Sequence, residues 1–121
     1  MKLSASKLIV GSCVALAMAL GAQAAQDQNL VKLGEKIFNT KKLGNCLACH
    51  DVNGKKIDNP GSLGPKLTGL KYWDDKMLYD TIYDIYKARG IKYSAMPPFG
   101  ANGWLSEQQI KALVAYLKTV Q

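Results

Sequence analysis

The chain has 121 residues with a formal net charge of +7, 48% hydrophobic and 21% charged side chains. That balance excludes a disordered polar chain and bounds one small domain. Its basic residues are spread out, apart from Lys41-Lys42 and Lys55-Lys56, which argues for solubility or docking on an acidic protein face, and nucleic acid is a poor partner for the exported chain that the N-terminus predicts.

The N-terminus opens with Lys2 and Lys7, continues in an apolar run from Leu8 to Leu20 and ends in Ala22-Gln23-Ala24. A basic start, a short apolar stretch and an A-x-A exit predict a secretory signal peptide over residues 1–24, with export to the periplasm. The run is shorter than the roughly 20 residues that span a bilayer, so no membrane span is expected. A lipobox at Val10-Gly11-Ser12-Cys13 would leave most of the run after Cys13, on the wrong side. Cleavage would leave one domain, residues 25–121, with 14 Lys+Arg against 9 Asp+Glu and a formal charge of +5. In that domain Cys46 and Cys49 are the only cysteines and His50 the only histidine.

The first predicted element is an amphipathic helix from Asp27 to Phe38, with Leu30, Leu33, Ile37 and Phe38 at helical spacing. Asp27 is a fair N-cap. Gly34, a poor helix former, is read as permitting close approach of another element. Next comes Cys46-Leu47-Ala48-Cys49-His50, the attachment signature of c-type haem. Its spacing suits that chemistry. Two thiols can add across two vinyl groups, positions i and i+3 of a helical turn share a face, and the residue after them can offer an imidazole to iron. A structural zinc site wants four ligands and is left short here. A thioredoxin-like pair would sit near a βαβ pattern, which is missing. A short-range disulfide would leave His50 unexplained.

Residues 51–72, rich in Gly, Pro, Asn and Asp, read as loop. A middle helix is predicted from about Asp74 to Ala88, ended by Arg89-Gly90. Its apolar members are Met77, Leu78, Ile82 and Ile85, with Tyr79, Tyr83 and Tyr86 as packing residues. Residues 93–103, YSAMPPFGANG, carry no charge. The final helix has the clearest start: Ser106-Glu107-Gln108-Gln109 is a capping box, flanked by Leu105 and Ile110 as a hydrophobic staple. It should run to about Thr119, with Ile110, Leu113, Val114 and Leu117 on its apolar face and Tyr116 on the flank.

A second axial position on the iron remains. With one histidine and no spare cysteine, the choices are a methionine, a lysine or an open site for a small ligand. Met77 has core spacing. Met96 precedes Pro97, which favours extended backbone, and two prolines remove donors and stiffen the loop. Met96 is therefore the leading candidate, against the alternative that Met-Pro-Pro-Phe-Gly is only an apolar cover.

Gly34 with Phe38, C-x-x-C-H, Gly64-Pro65-x-Leu67, a loop methionine and Leu113-x-x-Tyr116-Leu117 together resemble the class I cytochromes c. The resemblance implies an all-α fold, with three main helices and loops wrapped round one covalent haem c. It implies thioethers at Cys46 and Cys49, His50 and Met96 as axial iron ligands, and a Pro65 carbonyl that accepts a hydrogen bond from the second nitrogen of His50. The strings GNCLACH, PGSLGPKLTGL, MPPFGANGWLSEQQI and LVAYLKTV are more narrowly similar to the SoxX family, the smaller subunits of the SoxAX cytochromes of bacterial thiosulfate oxidation. In place of the Asn-Pro-x-Thr-like turn that relatives often carry before the methionine, this chain has Gly90-Ile91-Lys92-Tyr93-Ser94.

That similarity implies a SoxA partner holding the active site of an L-cysteine S-thiosulfotransferase, which joins thiosulfate to a cysteine of the SoxYZ carrier. The present chain would pass the released electrons to a downstream cytochrome or oxidase, and its uncharged loop 93–103 would form part of the subunit interface. The chain alone shows no catalytic constellation. Two further readings stand beside this one: a freestanding diffusible cytochrome docking through its lysines, and a gas- or peroxide-handling haem enzyme with an open site.

Overall fold

The computed structural model describes residues 27–121. The signal-peptide and lipobox readings lie outside the described residues. Four α-helices form there, with no β-strand: α1 over residues 27–39, α2 (Asp75–Tyr83), α3 (Ile85–Arg89) and α4 (Glu107–Leu117). Two short 3-10 turns, Cys46–Ala48 and Leu70–Tyr72, interrupt the long loop between α1 and α2. None of these helices is long and apolar enough to cross a membrane.

Helix α4 starts as its sequence dictates. The Ser106 hydroxyl accepts from the Gln109 N–H at 3.2 Å, and the Gln109 side-chain oxygen accepts from the Ser106 N–H at 2.8 Å. Leu105 and Ile110, on either side of the box, are both buried, as a staple requires. The helix then buries Ile110, Ala112, Leu113, Val114, Tyr116 and Leu117, and a turn in which the Thr119 and Val120 N–H groups bond Tyr116 and Leu117 carbonyls follows it. It ends two residues earlier than its spacing suggests.

Helices α1 and α4 cross where Gly34 meets Ala112. A Cβ at position 34 would lie 2.0 Å from the Ala112 carbonyl oxygen, so only glycine lets the two backbones approach this closely. Ile37 and Phe38 enter the core beside the crossing, with the Phe38 ring 5.5 Å from that of Tyr116. The apolar spacing of α1 overstates its buried face, because Leu30 and Leu33 remain exposed. Val31, between them in sequence, is the residue of that turn that packs against the core.

The middle helix is in two pieces. Asp84 has extended backbone (φ −152°, ψ 91°), and its carboxylate accepts from the Tyr86 and Lys87 N–H groups. In an unbroken helix those two donors would serve the Ile82 and Tyr83 carbonyls. Those carbonyls instead accept from Phe99 (3.2 Å), Gly100 (3.1 Å) and Ala101 (3.0 Å). One aspartate thus ends α2, caps α3 and frees two acceptors to hold the loop that follows Met96. Leu78 and Ile82 form the buried side of α2. Met77, whose spacing suggested core, lies on the outer side and is exposed.

Candidate functional site

A cavity of about 740 Å³ lies at the centre of the described residues, bounded by every helix and by both long loops. That is within the roughly 300–1,000 Å³ typical of cofactor sites. Its walls are mainly apolar, including Phe38, Leu67, Leu70, Ile82, Leu113 and Leu117. Cys46, Cys49, His50, Pro65 and Met96 all line it, whereas Met77 does not.

The cysteine motif sits on a tight turn. The Cys49 and His50 N–H groups donate to the Cys46 carbonyl at 3.1 and 2.9 Å. Cys46 opens the 3-10 turn and Cys49 caps its end, and both line the same cavity. They are not joined to each other. Burial pushes the Cys46 thiol up to about 12, so it is neutral at ordinary pH. A neutral buried thiol is a poor metal ligand, but adding its S–H across a carbon–carbon double bond leaves an uncharged thioether. Among the described residues no three His, Cys, Asp or Glu side chains converge on a possible metal position, so a zinc reading has no support.

The loop after the motif folds back over it. Gly61 donates to the Leu47 carbonyl and Gly64 to the Cys49 carbonyl, each at 2.8 Å. Both positions tolerate no side chain: a Cβ at Gly61 would fall 1.8 Å from the Ala48 oxygen, and one at Gly64 would fall 2.4 Å from His50 Cε1. This close return brings the Pro65 carbonyl to 2.8 Å from His50 Nδ1. A carbonyl only accepts, so Nδ1 carries the proton and Nε2 is left with its lone pair. The loop is pinned further by a Leu67 N–H bond to Asp51, an Asn53 N–H bond to Leu67 and the Lys66–Asp51 ion pair. The Lys66 hydrogen bond holds the exposed Asp51 carboxyl below its ordinary pKa.

Met96 is set by its own short-range contacts. The Ser94 hydroxyl accepts from the Met96 N–H at 3.0 Å, while the Ser94 carbonyl accepts from the Tyr86 hydroxyl at 3.4 Å. After the two prolines, Phe99 packs edge-on against Trp104, with ring centroids 6.2 Å apart. Gly100 lies against the Tyr83 ring, where a Cβ would come within 2.1 Å. Sequence reasoning did not single out Ser94, Gly61, Gly100 or Asp84. Each works through a partner distant in sequence or through a local side-chain-to-backbone bond, and only the glycines carry a composition signal.

Two unlinked thiols on one cavity, an imidazole with its Nε2 free, a thioether sulfur on the same cavity and an apolar enclosure fit a covalently held haem. The crystal structure of SoxXA from P. pantotrophus is similar, with 27% identity and a TM-score of 0.63 over 73% of this chain and 79% of that one. An uncharacterized lipoprotein of Aquifex aeolicus (strain VF5) is 40% identical over 78 residues, 63% of this chain. The match takes in 36% of that relative, so the chain spans little more than a third of its length. The cytochrome c family matches over residues 31–121, and with that span and this donor set the chain belongs to the cytochrome c family, the electron-transfer proteins that carry covalently bound haem c.

Proposed function

We propose that this chain is a SoxX-type electron-transfer subunit exported to the periplasm after removal of residues 1–24. One haem would be held in its cavity by thioethers at Cys46 and Cys49, with His50 and Met96 as the residues that would ligate its iron. When bound, that group supplies a one-electron Fe(III)/Fe(II) couple, and Met/His ligation raises its potential. The chain's residues do the positioning. Pro65 fixes the His50 tautomer and orientation, Gly64 leaves room for the imidazole, and Ser94, Pro97 and Pro98 brace the thioether. In this reading a SoxA-type partner joins thiosulfate to a SoxYZ cysteine, and the two electrons released leave one at a time through this subunit to a downstream cytochrome or oxidase.

The observation that carries the reading is the convergence of the C-x-x-C-H turn and Met96 on one cavity, in a fold like that of SoxXA. A second feature supports a subunit contact. The uncharged loop bearing Met96 leaves Tyr93 90% exposed, and a large exposed aromatic suits the buried centre of an interface. Native extract separated by size tests the assignment. The haem protein should co-migrate with a second, larger haem-bearing subunit and copurify with it. A haem species running only at its own mass would overturn the subunit role in favour of a freestanding carrier.

A further inference from the structure

Residues 39–45 carry the chain from α1 to the first thiol. The end of the helix is tied down first. The Asn39 amide donates to the Glu35 carbonyl at 3.0 Å, and the Thr40 hydroxyl to the Lys36 carbonyl at 2.6 Å. A tight turn follows, in which the Leu43 and Asn45 N–H groups share the Thr40 carbonyl at 3.0 and 3.2 Å. Gly44 donates back to the Ile37 carbonyl at 3.1 Å, so both ends of the approach are anchored to α1.

Asn45 is where the direction changes. Its backbone lies in the left-handed region (φ 50°, ψ 35°), which among the described non-glycine residues only Asn59 (φ 47°) shares. That region is costly for most L-residues and least so for glycine and asparagine. The Asn45 side chain makes no capping hydrogen bond, so its amide does not explain its presence. What position 45 contributes is its backbone. Its N–H closes the turn on Thr40, and its carbonyl accepts from Ala48 at 3.0 Å to open the cysteine turn. A strained residue so firmly held beside a functional group points to a role in placing that group.

The thiol has little freedom on its other side. A Cβ at Gly44 would stand 3.0 Å from Cys46 Sγ and 3.0 Å from the Ile37 carbonyl oxygen, so the sulfur rests against bare backbone. Cys46 also packs against the core and lines the cavity. Its sulfur goes where the backbone of residues 44 and 45 sends it. Cys49 lies beyond the turn, and its carbonyl is held separately by the Gly64 N–H at 2.8 Å.

We propose that Asn45, with Gly44 behind it, is the positioning residue for thioether formation at Cys46, its left-handed backbone aiming the buried thiol at a vinyl carbon. In that step the sulfur bonds one vinyl carbon and the thiol hydrogen ends on the other, so neither oxidant nor reductant is consumed. Such a role rests on the thioethers proposed for Cys46 and Cys49, and not on the identity of the protein partner.

The test compares holoprotein of the parent with Asn45→Gly, Asn45→Ala and Asn59→Ala. Each is denatured and alkylated, the haem-bearing peptide is weighed, and the pyridine haemochrome is recorded, whose α band moves to longer wavelength when a vinyl group survives. N45G should match the parent, with both cysteines linked. N45A should leave Cys46 open to alkylation in roughly five times as many molecules or more, the haem being held by Cys49 alone. N59A puts the same strain into the loop over the motif, and should lower thermal stability without freeing Cys46. A fully linked Cys46 in N45A would overturn the assignment, as would N45G as unlinked as N45A, or equal unlinking in N59A. Where N45A matures too poorly to assay, Asn45→Asp decides: linkage like the parent's upholds the backbone role, and an unlinked Cys46 sinks it. A parent protein whose own Cys46 alkylates would overturn the thioethers themselves, and this role with them.

Discussion

His50, Met96 and Tyr116 each owe their chemistry to one neighbour or to the lack of one. His50 offers Nε2 because Pro65 takes the proton-bearing Nδ1. Met96 lines the cavity and Met77 does not. Met96→Ala should therefore abolish the long-wavelength sulfur–iron band of the ferric protein, and Met77→Ala should leave it intact; a band that survives in M96A assigns the ligand elsewhere. Tyr116 is buried with a hydroxyl that finds no hydrogen-bond partner among the described residues, a state that costs about 1–3 kcal/mol. Burial, reinforced by the Glu35 charge, pushes its pKa up to about 12. An unfolded tyrosine loses its proton near pH 10, so between about 10 and 12 the folded protein holds a proton that the unfolded chain has released. Stability should be unaffected by this group below about pH 10 and fall as pH rises toward 12. Tyr116→Phe should raise the urea midpoint at pH 8, by about 1 kcal/mol of stability, and flatten the alkaline decline. A Phe variant weaker than the parent at pH 8 would mean that the hydroxyl has a partner.

At the scale of elements, the break at Asp84 decides how the Met96 loop is held. Its carboxylate takes the Tyr86 and Lys87 donors, and Phe99, Gly100 and Ala101 take the Ile82 and Tyr83 acceptors. Asp84→Ala removes the cap, at a cost of about 1 kcal/mol, and lets α2 run on into α3 with the loop amides displaced. Amide exchange at Phe99, Gly100 and Ala101 should quicken while exchange within α4 stays as it was. Unchanged loop protection would show that packing, and not this exchange of donors, seats the loop. The break also shows what the sequence could say. Ser106-Glu107-Gln108-Gln109 was legible because the whole capping box lies within four residues, and C-x-x-C-H because its chemistry fixes its spacing. Asp84 reads as one more polar residue of a helix, since its effect depends on the Ile82 and Tyr83 acceptors being filled by Phe99, Gly100 and Ala101. Met77, Leu30 and Leu33 follow helical spacing, but spacing reports a helix and not how far its face is covered. Gly61 and Gly64 read as loop, though what they provide is room for Ala48 and His50.

For the whole molecule, the centre of the fold belongs to the cofactor. Helices α1 and α4 meet directly at Gly34 and Ala112 and α2 also packs on α4, while α3 and the Met96 loop complete the cavity wall. The apolar walls of the cavity, with Phe38, Leu67, Leu70, Ile82, Leu113 and Leu117 among them, are built to pack on a large apolar body, and a small domain has only about 5–15 kcal/mol of stability in total. In the proposed reading, haem attached at Cys46 and Cys49 supplies that body, while the loop over the motif is already held by its bonds to Leu47, Cys49 and His50. The double variant Cys46→Ala with Cys49→Ala, prepared without haem, should show reduced far-ultraviolet helix signal and no cooperative thermal transition. The holoprotein should unfold in one transition, followed together by helix signal and haem absorbance. If the double variant kept a cooperative transition, the α1–α4 crossing with its buried Ile37, Phe38, Ile110, Leu113 and Tyr116 would be a self-sufficient core. Haem would then fill a structure that already stands.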